Sequence, residues 1–338
     1  MFAVNHSLPS MRKSILRLSI RVNGEKMRKK KLPEPGGPFG YVLQYPVYTL
    51  NHRVLCEPGM PITEDFLAEL AHSNQQGRLE TYPLLNHGSL REDLLGLIRK
   101  PPYQIVFDQQ QSFGDILDIM NDAHVIIPIL QAVDYFKRHD YDTYRHVLMV
   151  FLLSTLLARD LVENFQDMIR EAEAGPAHDL GKICVPLNVL KKTTPLTRNE
   201  RHMVEHHTEA GYLLLCHYLQ DVGALTARVA RDHHERKDGS GYPHGIRIRD
   251  LMVEIVVVSD LYDALISPRP YRPVPYDNRA ALEVVTAMAE EKKISWKVVQ
   301  ALVAHHRRNR PDYHGCRVSL EKRGVPPPGN QYGVFEDD

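Results

Sequence analysis

Two groups of metal-binding residue types lie within one stretch of this chain and constrain it more than any other feature. His178 and Asp179 form the first group, with Lys182 shortly after them, and His233 and His234 form the second. Imidazole and carboxylate groups can hold a divalent ion, and a nearby ammonium can neutralise phosphoryl oxygens. The first group therefore suits a hydrolytic metal centre that acts on phosphate, and the second histidine pair indicates a second ion.

Composition and charge place the chain among ordinary globular proteins. Its 338 residues are 43% hydrophobic, which is enough for the packed core of one large domain or two modest ones. Lysine and arginine number 42 together, as do aspartate and glutamate, so no overall field attracts nucleic acid or a membrane surface. We therefore expect no nucleic-acid partner, and any attraction for an anionic ligand must be local.

The cysteines and the most apolar run predict a cytoplasmic protein. Cys56, Cys184, Cys216 and Cys316 are widely spaced and form no C-x-x-C pair, so a disulfide framework or a zinc ribbon is not expected. Reduced, buried cysteines are expected instead. The most apolar run, residues 147–158, is shorter than a bilayer span, and it predicts a buried core helix and no transmembrane segment.

Helical patterns dominate the chain from residue 142 onward. Glycine and proline breakers separate strongly apolar runs, and no alternation of strands and helices or glycine-rich nucleotide loop interrupts them. The pattern predicts a mainly α fold with an all-α catalytic domain. The runs are residues 147–158, 212–219, 225–230, 253–265 and 298–303.

The residues ahead of this region predict a small β-containing module followed by helices. Strand-like pieces lie between residues 41 and 55, and a helix is expected to begin near Thr63. Residues 90–99 predict a further helix. Residues 112–137 predict a long helix that is interrupted or kinked at Pro128.

The two groups of metal-binding residues extend into longer motifs that resemble those of the HD-GYP family. Members of this family are bacterial phosphodiesterases that hydrolyse cyclic di-GMP in second-messenger signalling. The resemblance covers roughly residues 136–324, more than half of the chain. The residues that carry it are His178, Asp179, Gly181 and Lys182, followed by His233, His234, Glu235, Asp238, Gly239, Gly241, Tyr242 and Pro243.

The resemblance implies an organisation for the whole chain. The expected catalytic domain of the HD-GYP type spans residues 136–324, and a helical connector at residues 84–135 precedes it. Residues 39–83 are expected to form the small β-containing module. Residues 1–38, which are rich in lysine and arginine, are expected to be a basic, disordered tail and linker, and residues 325–338 a C-terminal tail.

The resemblance also implies a metal-ligand set that holds two divalent ions, with a third as an option. Asp179 is expected to bridge two ions, and imidazole and carboxylate donors without thiolates suit iron or manganese, with zinc or nickel as alternatives. The implied ligands are His146, His178, Asp179, His207, His233, His234 and Asp260.

Two positions in the implied ligand set have alternative interpretations. His207 fits the family spacing better than His206 because Gly211 follows it at the family's distance. Asp142 stands where family members with a third metal carry a glutamate, so it is a candidate third-metal ligand. It is also compatible with a solvated carboxylate at the start of a helix.

The implied reaction assigns catalytic roles to Asp179 and Lys182. Asp179 holds the ions, and the Lys182 ammonium stabilises charge on the phosphoryl oxygens. The products implied are the linear dinucleotide pGpG, GMP, or both. Residues 239–243, which we call the GYP loop, are expected to face the nucleotide. The implied substrate contacts are Lys182, Gly241, Tyr242, Pro243, Arg269 and Arg272.

The sequence is compatible with three other functions. A receptor that binds a cyclic dinucleotide without hydrolysing it is one alternative, and a phosphodiesterase of another cyclic dinucleotide is a second. A phosphohydrolase of mononucleotides is a third, against which the GYP loop and the second histidine pair argue. A homodimer or a signalling-protein partner is also compatible with the chain.

Overall fold

The computed structural model describes residues 40–74, 80–107, 110–270, 272–319 and 321–328. The predicted basic tail and linker at residues 1–38 lie outside the described residues, as does most of the tail at 325–338. The part that is described is mainly helical, and its few strands are two or three residues long. This confirms the predicted fold class.

The helices run in chain order from the N-terminal module to the C-terminal region. They are α1 (Glu64–His72), α2 (Leu90–Ile98), α3 (Gln104–Phe107), α4 (Gln110–Asp122), α5 (Ile127–His139), α6 (Tyr141–Leu161), α7 (Phe165–Ala174), α8 (Leu187–Leu190), α9 (Arg198–Glu205), α10 (His207–Leu219), α11 (Leu225–Asp232), α12 (Leu251–Ile266), α13 (Asn278–Glu290) and α14 (Trp296–His305). Short 3₁₀ helices span Leu84–Asn86, Gly175–Ala177, Leu180–Cys184 and Tyr313–Gly315.

Short antiparallel strand pairs confirm the predicted β-containing N-terminal module. The strands are β1 (Tyr41–Val42), β2 (Val47–Tyr48), β3 (Val54–Cys56), β4 (Pro61–Ile62), β5 (Thr81–Pro83) and β6 (His124–Ile126). Strand β1 pairs with β4, β2 with β3, and β5 with β6. The helix expected near Thr63 is α1, and the Thr63 hydroxyl accepts a hydrogen bond from the Phe66 amide at 3.1 Å as its N-cap.

Helix α6 lies at the centre of the core. Its residues 143–158 are buried, and it packs against α5, α7 and α12. A helix that is apolar all round requires neighbours on every side, which is how this one is placed. The expected core helix at residues 147–158 is therefore confirmed. Among the helices of the described ranges, none has the length and apolar content needed to cross a membrane.

The prediction of a long helix over residues 112–137, interrupted or kinked at Pro128, was wrong about the place and kind of the break. Helix α4 ends at Asp122, strand β6 follows, and α5 begins at Ile127. The strand forms because Tyr82 of β5 pairs with Val125, a contact between segments far apart in the sequence. Pro128 sits in the first turn of α5, where its missing amide costs no helical hydrogen bond.

Backbone segments approach each other very closely where the 3₁₀ helix Leu180–Cys184 packs against the start of α10. A Cβ atom at Gly181 would lie 1.9 Å from the backbone oxygen of His207 and 2.5 Å from the amide nitrogen of Gly211. Backbone atoms cannot move aside as a flexible side chain can. Only glycine at position 181 allows this packing.

We predict that Gly181→Ala destabilises the protein by about 1–3 kcal/mol or more, because the added methyl group forces the two segments apart. Gly96→Ala is the matched control, since a Cβ atom there would have no neighbour within 4 Å. Within α2, where Gly96 lies in the last turn, that change should stabilise the protein by about 0.5–1 kcal/mol. Urea unfolding measures both variants, and equal stability of Gly181→Ala and the parent protein would contradict the packing argument.

Candidate metal centre

The predicted ligands come from five segments that meet in the core. His146 lies in the second turn of α6, and Asp260 lies on α12. The segment around the 3₁₀ helix Leu180–Cys184 supplies His178 and Asp179. His207 is the first residue of α10, and His233 and His234 directly follow the last residue of α11.

The end of α11 explains how two neighbouring histidines reach one cluster. Adjacent side chains inside a regular helix diverge by about 100°. Helix α11 ends at Asp232, so His233 and His234 are not held to that divergence. Their rings lie 4.1 Å apart, and both belong to groups of side chains that could hold a metal ion.

All seven predicted ligands fall into three overlapping groups. Within each group the potential ligand atoms lie within 4.8 Å of one another. The groups are His146, His178 and Asp260; His178, Asp179 and His233; and His207, His233 and His234.

The two carboxylate oxygens of Asp179 face different histidines. Oδ2 lies 3.3 Å from His178 Nε2 and 3.7 Å from His146 Nε2. Oδ1 lies 3.4 Å from His207 Nε2 and 3.9 Å from His233 Nε2. The carboxylate thus stands between two sets of imidazoles, as a group that binds two ions would.

Backbone carbonyls orient three of these imidazoles. The Nδ1 atom of His178 donates to the Gly175 oxygen at 2.6 Å, and that of His207 donates to the Val204 oxygen at 2.5 Å. The Nδ1 atom of His233 lies 3.0 Å from the Ala230 oxygen. A proton held on Nδ1 leaves the lone pair on Nε2, and in all three residues Nε2 faces the centre of the cluster.

A carboxylate performs the same task for His146. Asp263 Oδ2 accepts from His146 Nδ1 at 2.6 Å, while Nε2 lies 2.9 Å from Asp260 Oδ1. The Tyr103 hydroxyl donates to Asp263 Oδ1 at 2.5 Å, which holds the carboxylate in place. Asp263 therefore orients the ring of the candidate ligand His146. Tyr103 lies between α2 and α3. The sequence interpretation did not include it, because nothing in its local sequence indicates a polar role.

Burial and charge keep several of the donor groups in the forms that bind a cation. Burial lowers the pKa of His207 to about 4 and lowers the pKa values of His233 and His234 well below their usual value. These imidazoles are therefore neutral. Although burial opposes ionisation, the charge of Lys182 holds the pKa of Asp179 well below its usual range.

The residues fit a metal ion. His178 Nε2 and Asp179 Oδ1 are buried and have no hydrogen-bond partner among the described residues, which is costly for polar atoms unless another group satisfies them. A divalent cation supplies that interaction. Nitrogen and oxygen donors make up the groups, and burial raises the pKa of the nearby Cys184 thiol to about 11, which keeps it protonated.

Lys182 and Asp142 take different positions relative to the cluster. The Lys182 ammonium lies 2.6 Å from Asp179 Oδ2, and its side chain is 15% exposed, so it borders both the carboxylate and solvent. Asp142 is in none of the three candidate groups in the described part of the chain. Its role as a third-metal ligand stays a prediction.

His206 makes different contacts from its neighbour His207. Its Nδ1 atom lies 3.2 Å from Glu209 Oε2, and its ring lies 5.5 Å from that of Tyr45. The groups found among the described residues include His207 and not His206. The geometry therefore favours His207 as the ligand.

The GYP loop folds back onto the ligand-bearing segment. The Tyr242 ring stacks on the His234 ring at 4.6 Å with an interplanar angle of 21°, and the Tyr242 amide donates to the His234 oxygen at 3.2 Å. A Cβ atom at Gly241 would lie 2.4 Å from Glu235 Cα, so glycine is required there. Pro243 follows Tyr242 in the same turn.

Glu235 holds the residue after the loop, a role that the sequence interpretation did not assign. Its Oε1 atom accepts from the His244 amide at 2.7 Å, and its side chain is buried. Burial raises the pKa of Glu235 to about 7. Its position directly after His234 in the second motif was the available signal.

The two arginines of the later basic segment differ in exposure and contacts. Arg269 Nη2 lies 3.8 Å from Asp263 Oδ2, close to the His146 side of the cluster. Arg272 is 2% exposed, and its Nη2 atom donates to the backbone oxygens of Ala264, Leu265 and Ser267. Arg272 therefore stabilises the end of α12, and a substrate contact through its guanidinium stays a prediction.

Comparisons with known proteins agree with this geometry. The model of the HD domain family matches residues 145–298. A cyclic di-GMP phosphodiesterase from Thermotoga maritima is 31% identical over 184 residues, which are 54% of this chain and 49% of the relative. A cyclic di-GMP phosphodiesterase from Pseudomonas aeruginosa is 40% identical over 157 residues, 46% of this chain and 36% of the relative. These matches confirm the similarity to the HD-GYP family over the part of the chain that they cover.

The family domain is only part of these relatives. The HD-GYP region of this chain spans about half or less of the length of the curated relatives it matches. A 3'3'-cGAMP-specific phosphodiesterase 2 from Vibrio cholerae is also similar, with 31% identity over 168 residues, 48% of this chain and 31% of the relative. Relatives of the HD-GYP domain thus carry names for more than one cyclic dinucleotide.

We predict that Asp179→Ala leaves a folded protein that retains under half of the metal bound by the parent, because both candidate ion positions lose a shared donor. Elemental analysis of protein purified without added metal measures the loss, and circular dichroism checks the fold. Asp167→Ala is the control, since Asp167 is 44% exposed and pairs with Arg170 on the surface. Full metal retention in Asp179→Ala would exclude a bridging role.

Proposed function

We propose that this chain is a metal-dependent phosphodiesterase that hydrolyses cyclic di-GMP to linear pGpG, GMP or both in bacterial second-messenger signalling. The placement of the Asp179 carboxylate between two sets of imidazoles is the observation that carries the proposal. The named activities of the Thermotoga and Pseudomonas relatives support the substrate.

The donor set supports two divalent ions, with iron or manganese preferred. One position would use His146, His178, Asp179 and Asp260, and the other would use Asp179, His207, His233 and His234. Bound ions would lower the pKa of water and polarise phosphoryl oxygens, which is the chemistry needed for hydrolysis without a covalent nucleophile. Imidazole and carboxylate donors without thiolates suit these metals.

The protein's own groups supply orientation and charge. Asp263 and the backbone carbonyls of Gly175 and Val204 hold imidazoles in one tautomer. Lys182, at the solvent edge of the cluster, is placed to offset the negative charge that builds on the equatorial phosphoryl oxygens. The GYP loop is proposed to face a guanine nucleotide through Gly241, Tyr242 and Pro243.

The position of Arg269 beside Asp263 suits a second phosphate contact. A guanidinium can bind two oxygens in a fork, and Arg269 lies on the side of the cluster that holds His146. We include Arg269 in the proposed substrate site.

The proposal extends to the organisation and location of the protein. We propose the domain limits given above, with residues 136–324 as the HD-GYP catalytic domain, 84–135 as a connector and 39–83 as the β-containing module. The four cysteines are free thiols, which supports a reducing, cytoplasmic location. Assembly as a homodimer or with a signalling-protein partner is part of the same proposal.

The decisive experiment incubates protein purified without added metal separately with cyclic di-GMP, 3'3'-cGAMP and a mononucleotide, and separates the products by chromatography. Appearance of pGpG or GMP from cyclic di-GMP supports the proposal. Faster cleavage of 3'3'-cGAMP would favour that dinucleotide as the substrate, in line with the name of the Vibrio relative. Binding of cyclic di-GMP without products would identify a receptor.

We predict that Lys182→Ala keeps its metal but slows turnover of cyclic di-GMP by roughly a hundredfold, because charge on the phosphoryl oxygens loses its cation. Lys192→Ala is the matched control, since Lys192 pairs with Glu200 at 2.7 Å outside the cluster. Initial rates and elemental analysis are measured on the same samples. Loss of metal in Lys182→Ala would show that the lysine supports the ligands instead.

We predict that Asp142→Ala binds as much metal as the parent protein, because Asp142 lies in none of the candidate groups and its side chain is shorter than the glutamate of three-metal relatives. Stability should fall by only about 0.3–1 kcal/mol, because Asp140 is the N-cap of α6 and Asp142 is only an acidic residue in its first turn. Elemental analysis decides between the two roles. Three ions per chain in the parent and two in the variant would assign Asp142 to a third metal.

A further inference from the structure

We propose that Tyr41, in the N-terminal module, is a positioning residue for the GYP loop. The expected effect on substrate kinetics rests on the proposed function. The contact itself can be tested without any substrate. The module and the loop are far apart in the sequence, and they meet where Tyr41 contacts the residue that follows the loop.

The contact joins the Tyr41 and His244 rings. Their centroids lie 4.6 Å apart with an interplanar angle of 44°. The Tyr41 hydroxyl is buried and has no hydrogen-bond partner among the described residues, so the ring and not the hydroxyl makes the interaction. Aromatic pairs in this range contribute beyond the area that they bury.

Strand pairing holds the Tyr41 ring in place. Tyr41 of β1 lies opposite Ile62 of β4, and the Gly40 amide donates to the Ile62 oxygen at 2.8 Å. Ile62 is fully buried. The ring therefore extends from a fixed strand, and His244 packs against a surface that does not move with the loop.

His244 connects this contact to the cluster of candidate metal ligands. Its amide donates to Glu235 Oε1, and Glu235 follows the candidate ligand His234 in sequence. On the other side, Pro243 and Tyr242 precede His244, and the Tyr242 ring stacks on His234. The loop and the residue after it thus contact residues 234 and 235 on one side, and Tyr41 contacts His244 on the other.

Other contacts keep the module docked when the Tyr41 ring is removed. The Tyr45 hydroxyl donates to Asn199 Oδ1 at 2.9 Å, and the Leu50 amide donates to the Tyr218 hydroxyl at 3.3 Å. The Tyr48 amide lies 3.4 Å from Cys184 Sγ. Loss of the ring at position 41 should therefore release the loop and leave the module in place.

The first test measures amide hydrogen exchange in peptides that cover residues 235–246. In Tyr41→Ala these peptides should exchange faster than in the parent, by about threefold to tenfold, which corresponds to the loss of one aromatic pair. Tyr41→Phe should exchange at the parent rate because the hydroxyl has no partner. Tyr48→Ala is the matched control from the same module, since its side chain is 38% exposed.

The second test measures cyclic di-GMP kinetics on the same variants with equal metal content. Tyr41→Ala should raise KM by about threefold to tenfold with kcat within about twofold of the parent, because a mobile Tyr242 binds the substrate less well. Tyr41→Phe and Tyr48→Ala should match the parent. His244→Ala removes the contact from the loop side and should raise KM equally, and the double variant should add nothing further.

Each result distinguishes the inference from the function on which it rests. Unchanged exchange and unchanged KM in both Tyr41→Ala and His244→Ala would overturn the inference, as would additive effects in the double variant. A parent protein that does not cleave cyclic di-GMP would instead contradict the proposed function, and the exchange measurement would then decide the role of Tyr41 alone. Loss of activity in Tyr41→Phe would show that the hydroxyl, and not the ring, matters.

Discussion

The cluster of candidate metal ligands depends on how closely the 3₁₀ helix Leu180–Cys184 approaches the start of α10. With no side chain at Gly181, the backbone there packs directly onto the carbonyl of His207. This approach is what allows Asp179 to reach His207 and His233 on one side and His178 and His146 on the other. A larger residue at position 181 would separate the two halves of the cluster, and one carboxylate could no longer serve both.

A polar centre of this kind is costly to bury, and the protein offsets the cost locally. His178, Asp179, His207 and His233 are almost completely buried. Backbone carbonyls satisfy one nitrogen of each of the three imidazoles, and Lys182 contacts the carboxylate. The atoms left over face one another, and in a low-dielectric interior their combined field favours a cation strongly.

The N-terminal module is built into the surroundings of this centre. Tyr41 contacts His244 after the GYP loop, and Tyr45 contacts His206 beside the candidate ligand His207. The backbone of Tyr48 contacts Cys184, shortly after Lys182. Each of these contacts touches a segment that carries a site residue. A displacement of β1 or β2 would therefore reach the site directly, without a long path through the core.

The sequence alone determined the types of the candidate ligands, most of the helices and the presence of short strands near the N-terminus. Local rules were sufficient for the helices, because Thr63 caps α1 and apolar runs mark helical segments. The resemblance to the HD-GYP family named the residues that meet in the core. The break between α4 and α5 could not be predicted, because it depends on β6 pairing with the distant β5. Tertiary structure also decided which Asp179 oxygen faces which histidine, that Arg272 is buried at the end of α12, and that Tyr41 covers the residue after the GYP loop. Each of these rests on contacts between segments far apart in the chain, and such contacts leave no periodicity or spacing in the sequence to reveal them.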